Sequence, residues 1–410
     1  MLPRLPFLPG GLALMVTACA LPQPGLRRTT PIDHTLLRGD QLHTERQILE
    51  EREVNLLSAF GNLTALENRH FSVQLSSVLE APHVDGSALR ITRLVQEGSL
   101  LIVAYAGAAG STRGALALID LTDTESPVLR AELQLPTVAV ETVALDGRHV
   151  YFAGSSSDPG GPVVGRISIQ DFEWQDDLKL QALDLKSISA LAVFEDRVVI
   201  LDRDRSQLTT LNKNDFVTTA QVSVPGLSQL SQDASSLWTL GRLPTQIQQL
   251  DSELKLKSSA VALGDLENTL FSGQMVIGRE TVMAALGDGG VRAFCKANQK
   301  ALFNVPPVIR PDLPAEKTQS LDAGLSQGLL LTANADAGVY LYQVATQDKQ
   351  GVCKEREIRF EGYLDLGKNF RAETLSWHQG VLSVGDGNGR LNLFSIDSDS
   401  LENDDNDFDG

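Results

Sequence analysis

Gly324-Leu325-Ser326-Gln327-Gly328 carries the letters of a serine nucleophile elbow. That motif works on a sharp strand-to-helix turn with an acid and then a His after it. His378 does follow, but Gly328 leads into the apolar run Leu329-Leu330-Leu331, so a turn between strands is expected. Gly385-Asp386-Gly387-Asn388-Gly389 and Gly287-Asp288-Gly289-Gly290 have the glycine density of a phosphate loop, yet neither is followed by Lys-Ser/Thr and a helix. They read as hairpin turns, in which Gly and Asn supply positive φ. Six His and three Cys in 410 residues are too few for a His-rich copper centre, a four-cysteine zinc site or a multi-haem array. His83, His149 and His378 lie far apart and lack an identifiable acid–base partner. The lone acids Asp202, Asp204 and Asp336 could line a channel or hold calcium, and are expected mainly as turn residues.

One acidic motif is more specific. Asp405-Asn406-Asp407-Phe408-Asp409-Gly410 fits the first six positions of a calcium loop, with Asp405, Asp407 and Asp409 as candidate ligands. Without the later carbonyl and the bidentate carboxylate the ligand count is low, so weak calcium binding at most is expected, within an acidic tail over 399–410. Overall, 35 Lys and Arg stand against 52 Asp and Glu, a net charge of −17 that repels phosphate backbones and sets nucleic acid aside. With 42% hydrophobic and 21% charged residues, the chain is expected to fold around a sizeable core.

At the N-terminus, Arg4 precedes an apolar stretch broken by Pro6 and Pro9, too short to span a hydrocarbon core of about 30 Å. Val16-Thr17-Ala18-Cys19 then resembles the bacterial lipobox. The resemblance implies a signal peptide over 1–18, cleavage before Cys19 and acylation of its thiol, palmitate included. Ala20 in the next position implies the outer membrane rather than inner-membrane retention. Export leaves Cys295 and Cys353 in an oxidising compartment, where a disulfide is expected; two separate buried thiols are the alternative. Pro22, Pro24 and Pro31 mark 19–39 as a tether. Leu42, Leu49, Leu56 and Leu63, seven apart, with Asp40 as N-cap, predict an amphipathic spacer helix over 40–68.

The body of the chain repeats. From about Ala88 a short apolar strand follows a polar turn seven times: Ser99–Ala104, His149–Ala153, Arg197–Leu201, Ser236–Leu240, Thr281–Ala285, Leu329–Ala333 and Gly380–Val384. A second alternating strand follows each, and the spacing of roughly 40 to 50 residues is that of a four-stranded propeller blade. Helical periodicity is absent here, which argues against Rossmann, barrel and hydrolase folds. The fold class expected is therefore all-β, a seven-bladed β-propeller over 71–398, with six or eight blades as the alternative. Phe71–Glu80 alternates as a strand should and is expected to close the ring on the last blade.

Gly114-Ala115-Leu116-Ala117-Leu118-Ile119-Asp120-Leu121-Thr122-Asp123, ending in Ser126-Pro127, resembles the LVIVD repeat of bacterial exported propellers. It implies a propeller at the cell surface or in the periplasm, and transfers no catalytic residue. The expectation for function is a lipid-anchored envelope propeller that binds or assembles an envelope or surface protein partner without chemistry of its own. The alternative is a propeller hydrolase with a calcium ion in its central channel.

Overall fold

The computed structural model describes residues 33–38, 47–48, 52–53, 56–57 and 71–398, apart from 159, 234–235, 243–244, 252, 258–259, 264–272, 346–352, 365 and 367–369. Among the described residues, seven antiparallel sheets of four to six strands follow one another along the chain, with a two-stranded ribbon, His83–Val84 and Ser87–Ala88, ahead of the first. Blade 1 comprises Arg90–Glu97, Leu100–Ala106, Gly114–Asp120 and Val128–Leu135, from the innermost strand outward. Blade 2 uses Val138–Asp146, His149–Ser156, Gly161–Gln170 and Lys179–Ala182, and blade 3 Ala190–Val193, Arg197–Asp202, Gln207–Asn212 and Thr218–Ser223. Blade 4 begins at Leu227–Gln232, blade 5 at Met275–Ile277, blade 6 at Asp322–Ser326 and blade 7 at Ala372–His378. All seven apolar runs singled out in the sequence are the second strands of these blades. The fold is an all-β seven-bladed propeller.

Period-two alternation makes the ring cohere, because each second strand is buried on both faces and sends alternate residues to opposite neighbours. In blade 1, Leu101, Val103 and Tyr105 pack with Leu391 and Leu393 of blade 7. Ile102 and Ala104 pack with Val150 and Phe152 of blade 2. The next interface takes Tyr151 and Ala153 against Val198 and Ile200 of blade 3. Each of the seven junctions between blades holds its own apolar cluster.

Ring closure follows the expectation. Phe71–Leu79 pairs antiparallel with Leu391–Ser398, so the outermost strand of blade 7 comes from the N-terminal side of the chain. At the seam, the turn at Gly389 presses on Leu89 of blade 1, and a Cβ there would collide with the Leu89 carbonyl.

The helix predicted over 40–68 is not found among the described residues. Gln47–Ile48, Arg52–Glu53 and Leu56–Leu57 are short strands instead, the first two on Phe71–Leu79 and the third on Ile358–Leu364 of blade 6. Thr35–Arg38, inside the predicted tether, likewise pairs with the outer strand of blade 1. The cause is the open edge of an outermost strand, whose free N–H and C=O groups bond any extended segment whatever its side-chain pattern. Among the described residues the helical element is the single 3-10 turn Ala315–Lys317, and no helix is long and apolar enough to cross a membrane.

Gly389 has φ +86°, a conformation that L side chains rarely adopt. Strain and collision together predict that Gly389→Ala destabilises the ring by at least about 2 kcal/mol, measured by urea unfolding. An unchanged midpoint would show that the seam does not depend on this close approach.

Candidate functional site

The innermost strands converge on the ring axis, and where they begin they enclose a cavity of about 300 Å³. Every blade contributes to its wall, including Arg90 and Arg93 from blade 1, Glu141 from blade 2, Gln229 from blade 4, and Arg371 and Glu373 from blade 7. Four of the innermost strands carry a bulge at this level, at Thr92, Glu141, Ser228 and Glu373. A bulge sets one extra residue against the partner strand and re-aims its side chain, and Thr92, Glu141 and Glu373 line the cavity. Thr92 Oγ1 donates to the carbonyl of Val140, 2.7 Å away on blade 2, tying adjacent blades at the rim.

Next to the cavity lies Asp322, 2% exposed. Its Oδ2 accepts from the Thr374 hydroxyl at 2.9 Å and the Leu375 N–H at 3.0 Å, both on blade 7, and Oδ1 accepts from the Ala323 N–H at 2.9 Å. Burial pushes this carboxyl above the ordinary range, against the opposing pull of Arg93 and those three donors. Arg371 is committed as well. Its Nε lies 3.0 Å from Glu373 and its Nη1 3.1 Å from Asp336, which also holds Lys317 at 3.2 Å. Asp336 therefore bridges blades 6 and 7.

The other residues singled out by sequence are distributed as follows. Asp202 is a buried turn acid whose oxygens accept from the N–H groups of Lys186 (2.7 Å), Ser187 and Arg205 (both 3.2 Å) and from the Ser187 hydroxyl. Burial raises its pKa, but these donors outweigh burial and leave it below the ordinary value. Asp204 is exposed. Ser326 ends a strand and leads into a hairpin turn at Gln327 (φ +50°) and Gly328 (φ +73°), so the elbow letters form a turn. The glycine loops at 287–290 and 385–389 connect paired strands, as expected. His83, His149 and His378 lie on separate strands, with no convergence. Among the described residues no group of three His, Cys, Asp or Glu could hold a metal ion.

Cys295 and Cys353 are joined, with their Cα atoms 5.5 Å apart, linking the third strand of blade 5 to the loop before the last strand of blade 6. Asp120, the acid of the clearest repeat copy, caps its own turn through the Thr122 N–H and pairs with Arg130 at 2.7 Å. Cys19 and the acids Asp405, Asp407 and Asp409 lie outside the described residues.

Sequence reasoning missed the whole axial wall. The available signal was a polar residue in or just before the strand preceding several of the apolar runs, namely Arg93, Glu141, Gln229, Gln274 and Glu373.

No protein-family model matches the chain, and no curated protein sequence matches it either. Solved structures do. A catalytically inactive virginiamycin B lyase from Staphylococcus aureus, in complex with quinupristin, superposes with TM-score 0.55 at 10% identity, covering 79% of this chain and 99% of that one. The WD40 domain of Neurospora crassa Pan2 gives TM-score 0.51 at 9% identity, covering 75% and 89%. At such identities the likeness is one of fold alone.

Two outcomes test this arrangement. Asp322→Ala strands the Thr374 hydroxyl and two N–H groups and leaves Arg93 without its counter-charge, so unfolding free energy should fall by about 3 kcal/mol. An effect below about 1 kcal/mol would contradict that role. For Asp202 the depressed folded pKa means stability present above the unfolded pKa and lost as pH falls through the folded one. Asp202→Asn should be clearly less stable than wild type at neutral pH, with the gap closing as pH drops below about 4, followed by urea melts across pH. A gap constant with pH would show that the charge is not what the donors recognise.

Proposed function

We propose that the protein is an exported, lipid-anchored β-propeller of the LVIVD type that docks an envelope protein partner and performs no chemistry of its own. The observation that carries this reading is the commitment of the acids and the arginine where blades 6 and 7 meet at the axis. Arg371, Glu373, Asp336 and Lys317 hold one another, and Asp322 is held by three donors. Residues placed this way knit blades together and build a shaped, polar surface; they offer no nucleophile beside a free base. A rigid ring that exposes loops from every blade at one end suits docking.

Support for the anchor comes from the lipobox at Val16-Thr17-Ala18-Cys19, which would place diacylated Cys19 in the outer membrane. It fits the position of Thr35–Arg38, which pairs with the outer strand of blade 1, away from the axis. The calcium-dependent hydrolase has weaker support. Of the carboxylates near the axis, Asp322 and Glu373 are already engaged, and three arginines line the same cavity. Weak calcium binding at Asp405, Asp407 and Asp409 is a separate proposal for the tail.

Cross-linking in intact cells, followed by affinity purification and mass spectrometry, tests the reading with a Cys19→Ala form as the unanchored control. A stoichiometric envelope partner captured by the anchored protein and lost in the control is expected. The absence of any partner in both forms would overturn the docking role, and fractionation of the wild type with soluble proteins would overturn the anchor.

A further inference from the structure

Three charged side chains of the axial wall, Arg90, Arg93 and Glu141, make no ion pair or side-chain hydrogen bond among the described residues. Arg371 is neutralised by Glu373 and Asp336. Arg93, half-buried on the wall, feels the charge of Asp322 but makes no side-chain hydrogen bond among the described residues, while Asp322 accepts from Thr374, Leu375 and Ala323. Burial lowers the pKa of Arg93 and the field of Asp322 only partly restores it. A guanidinium presents five donors in a planar fork matched to a carboxylate, and leaving it partly desolvated without an acceptor is costly. Arg90, exposed at the same wall, makes no ion pair among the described residues.

We propose that the axial pocket seats a peptide carboxylate, with Arg93 as its principal donor and Arg90 at the mouth. The assignment rests on the docking role proposed above and gives the partner its chemistry. A volume of about 300 Å³ is at the small end of ligand pockets, enough for one side chain or a chain end rather than a large cofactor. Gln229, from blade 4, offers an amide to the peptide backbone that carries the carboxylate, while Gln274 of blade 5 donates to the Thr374 hydroxyl at 3.5 Å. Glu141, which has no ion-pair partner among the described residues, stands on the same wall and penalises a dianion, so a carboxylate is preferred to phosphate.

The test uses the full chain in its soluble Cys19→Ala form, titrated by calorimetry and ligand-observed NMR. The probes are N-acetylglutamate N-methylamide, which carries a side-chain carboxylate, N-acetyl-dialanine, which carries a C-terminal one, and inorganic phosphate. Saturable binding of one or both carboxylates is expected, and the stronger of the two identifies the source. Arg93→Gln should weaken it at least roughly tenfold while the melting temperature shows a folded protein. Should that variant fail to fold, Glu141→Gln carries the test, tightening carboxylate binding roughly fivefold by removing a like charge. Binding of phosphate alone, of no probe, or with equal affinity in the two variants and wild type would overturn the proposal. Probe binding needs no partner, so a captured partner without probe binding condemns the pocket alone, and probe binding without a partner condemns the docking role alone.

Discussion

A four-stranded sheet of this size cannot bury both of its faces, and that constraint organises the molecule. The second strand of each blade is apolar on both sides, as in Leu101-Ile102-Val103-Ala104, so it is stable only with a sheet packed against each face. An open row of blades would always leave two such faces in water. Closing the row into a ring removes them, and borrowing Phe71–Leu79 for the last blade makes closure a matter of backbone pairing between distant parts of the chain. The segments at 35–38, 47–48, 52–53 and 56–57 extend this pairing over the outer edges of blades 1, 7 and 6, on both sides of the seam.

The axial pocket is a consequence of the same geometry. Seven innermost strands reach the axis at one end, where they are too close for large side chains along their whole length yet diverge enough to leave a cavity. Polar residues placed there must be paired or face water. Thr92, Arg371 and Thr374 are paired across blades, and this pairing fixes the wall against which Arg93 stands with its donors free of hydrogen bonds among the described residues. Shape and charge at the axis thus come from contacts that also join the blades.

How much of this the sequence discloses depends on which force places a residue. Burial on two faces writes a run of apolar residues bounded by turn signals, so the second strands, the glycine turns at 287–290 and 385–389, and the closing strand at 71–79 could all be read directly. Backbone pairing at an open edge writes no side-chain code. The leucines at 42, 49, 56 and 63 suggest a helix although the described parts of that segment, such as Leu56–Leu57, are edge strands. The pocket was illegible for another reason. Its residues come singly from every blade, and Arg93 or Glu141 inside an otherwise ordinary strand gains meaning only when seven such positions meet on one axis.

Site-specific photo-cross-linking in living cells tests most directly whether the axial end is the docking face. A photoreactive residue would replace Gln229 on the pocket wall or Val217, which is 57% exposed before the outer strand of blade 3. The account predicts one discrete adduct from position 229 and none from 217. Adducts from position 217 with none from 229 would place the partner on the rim and contradict it.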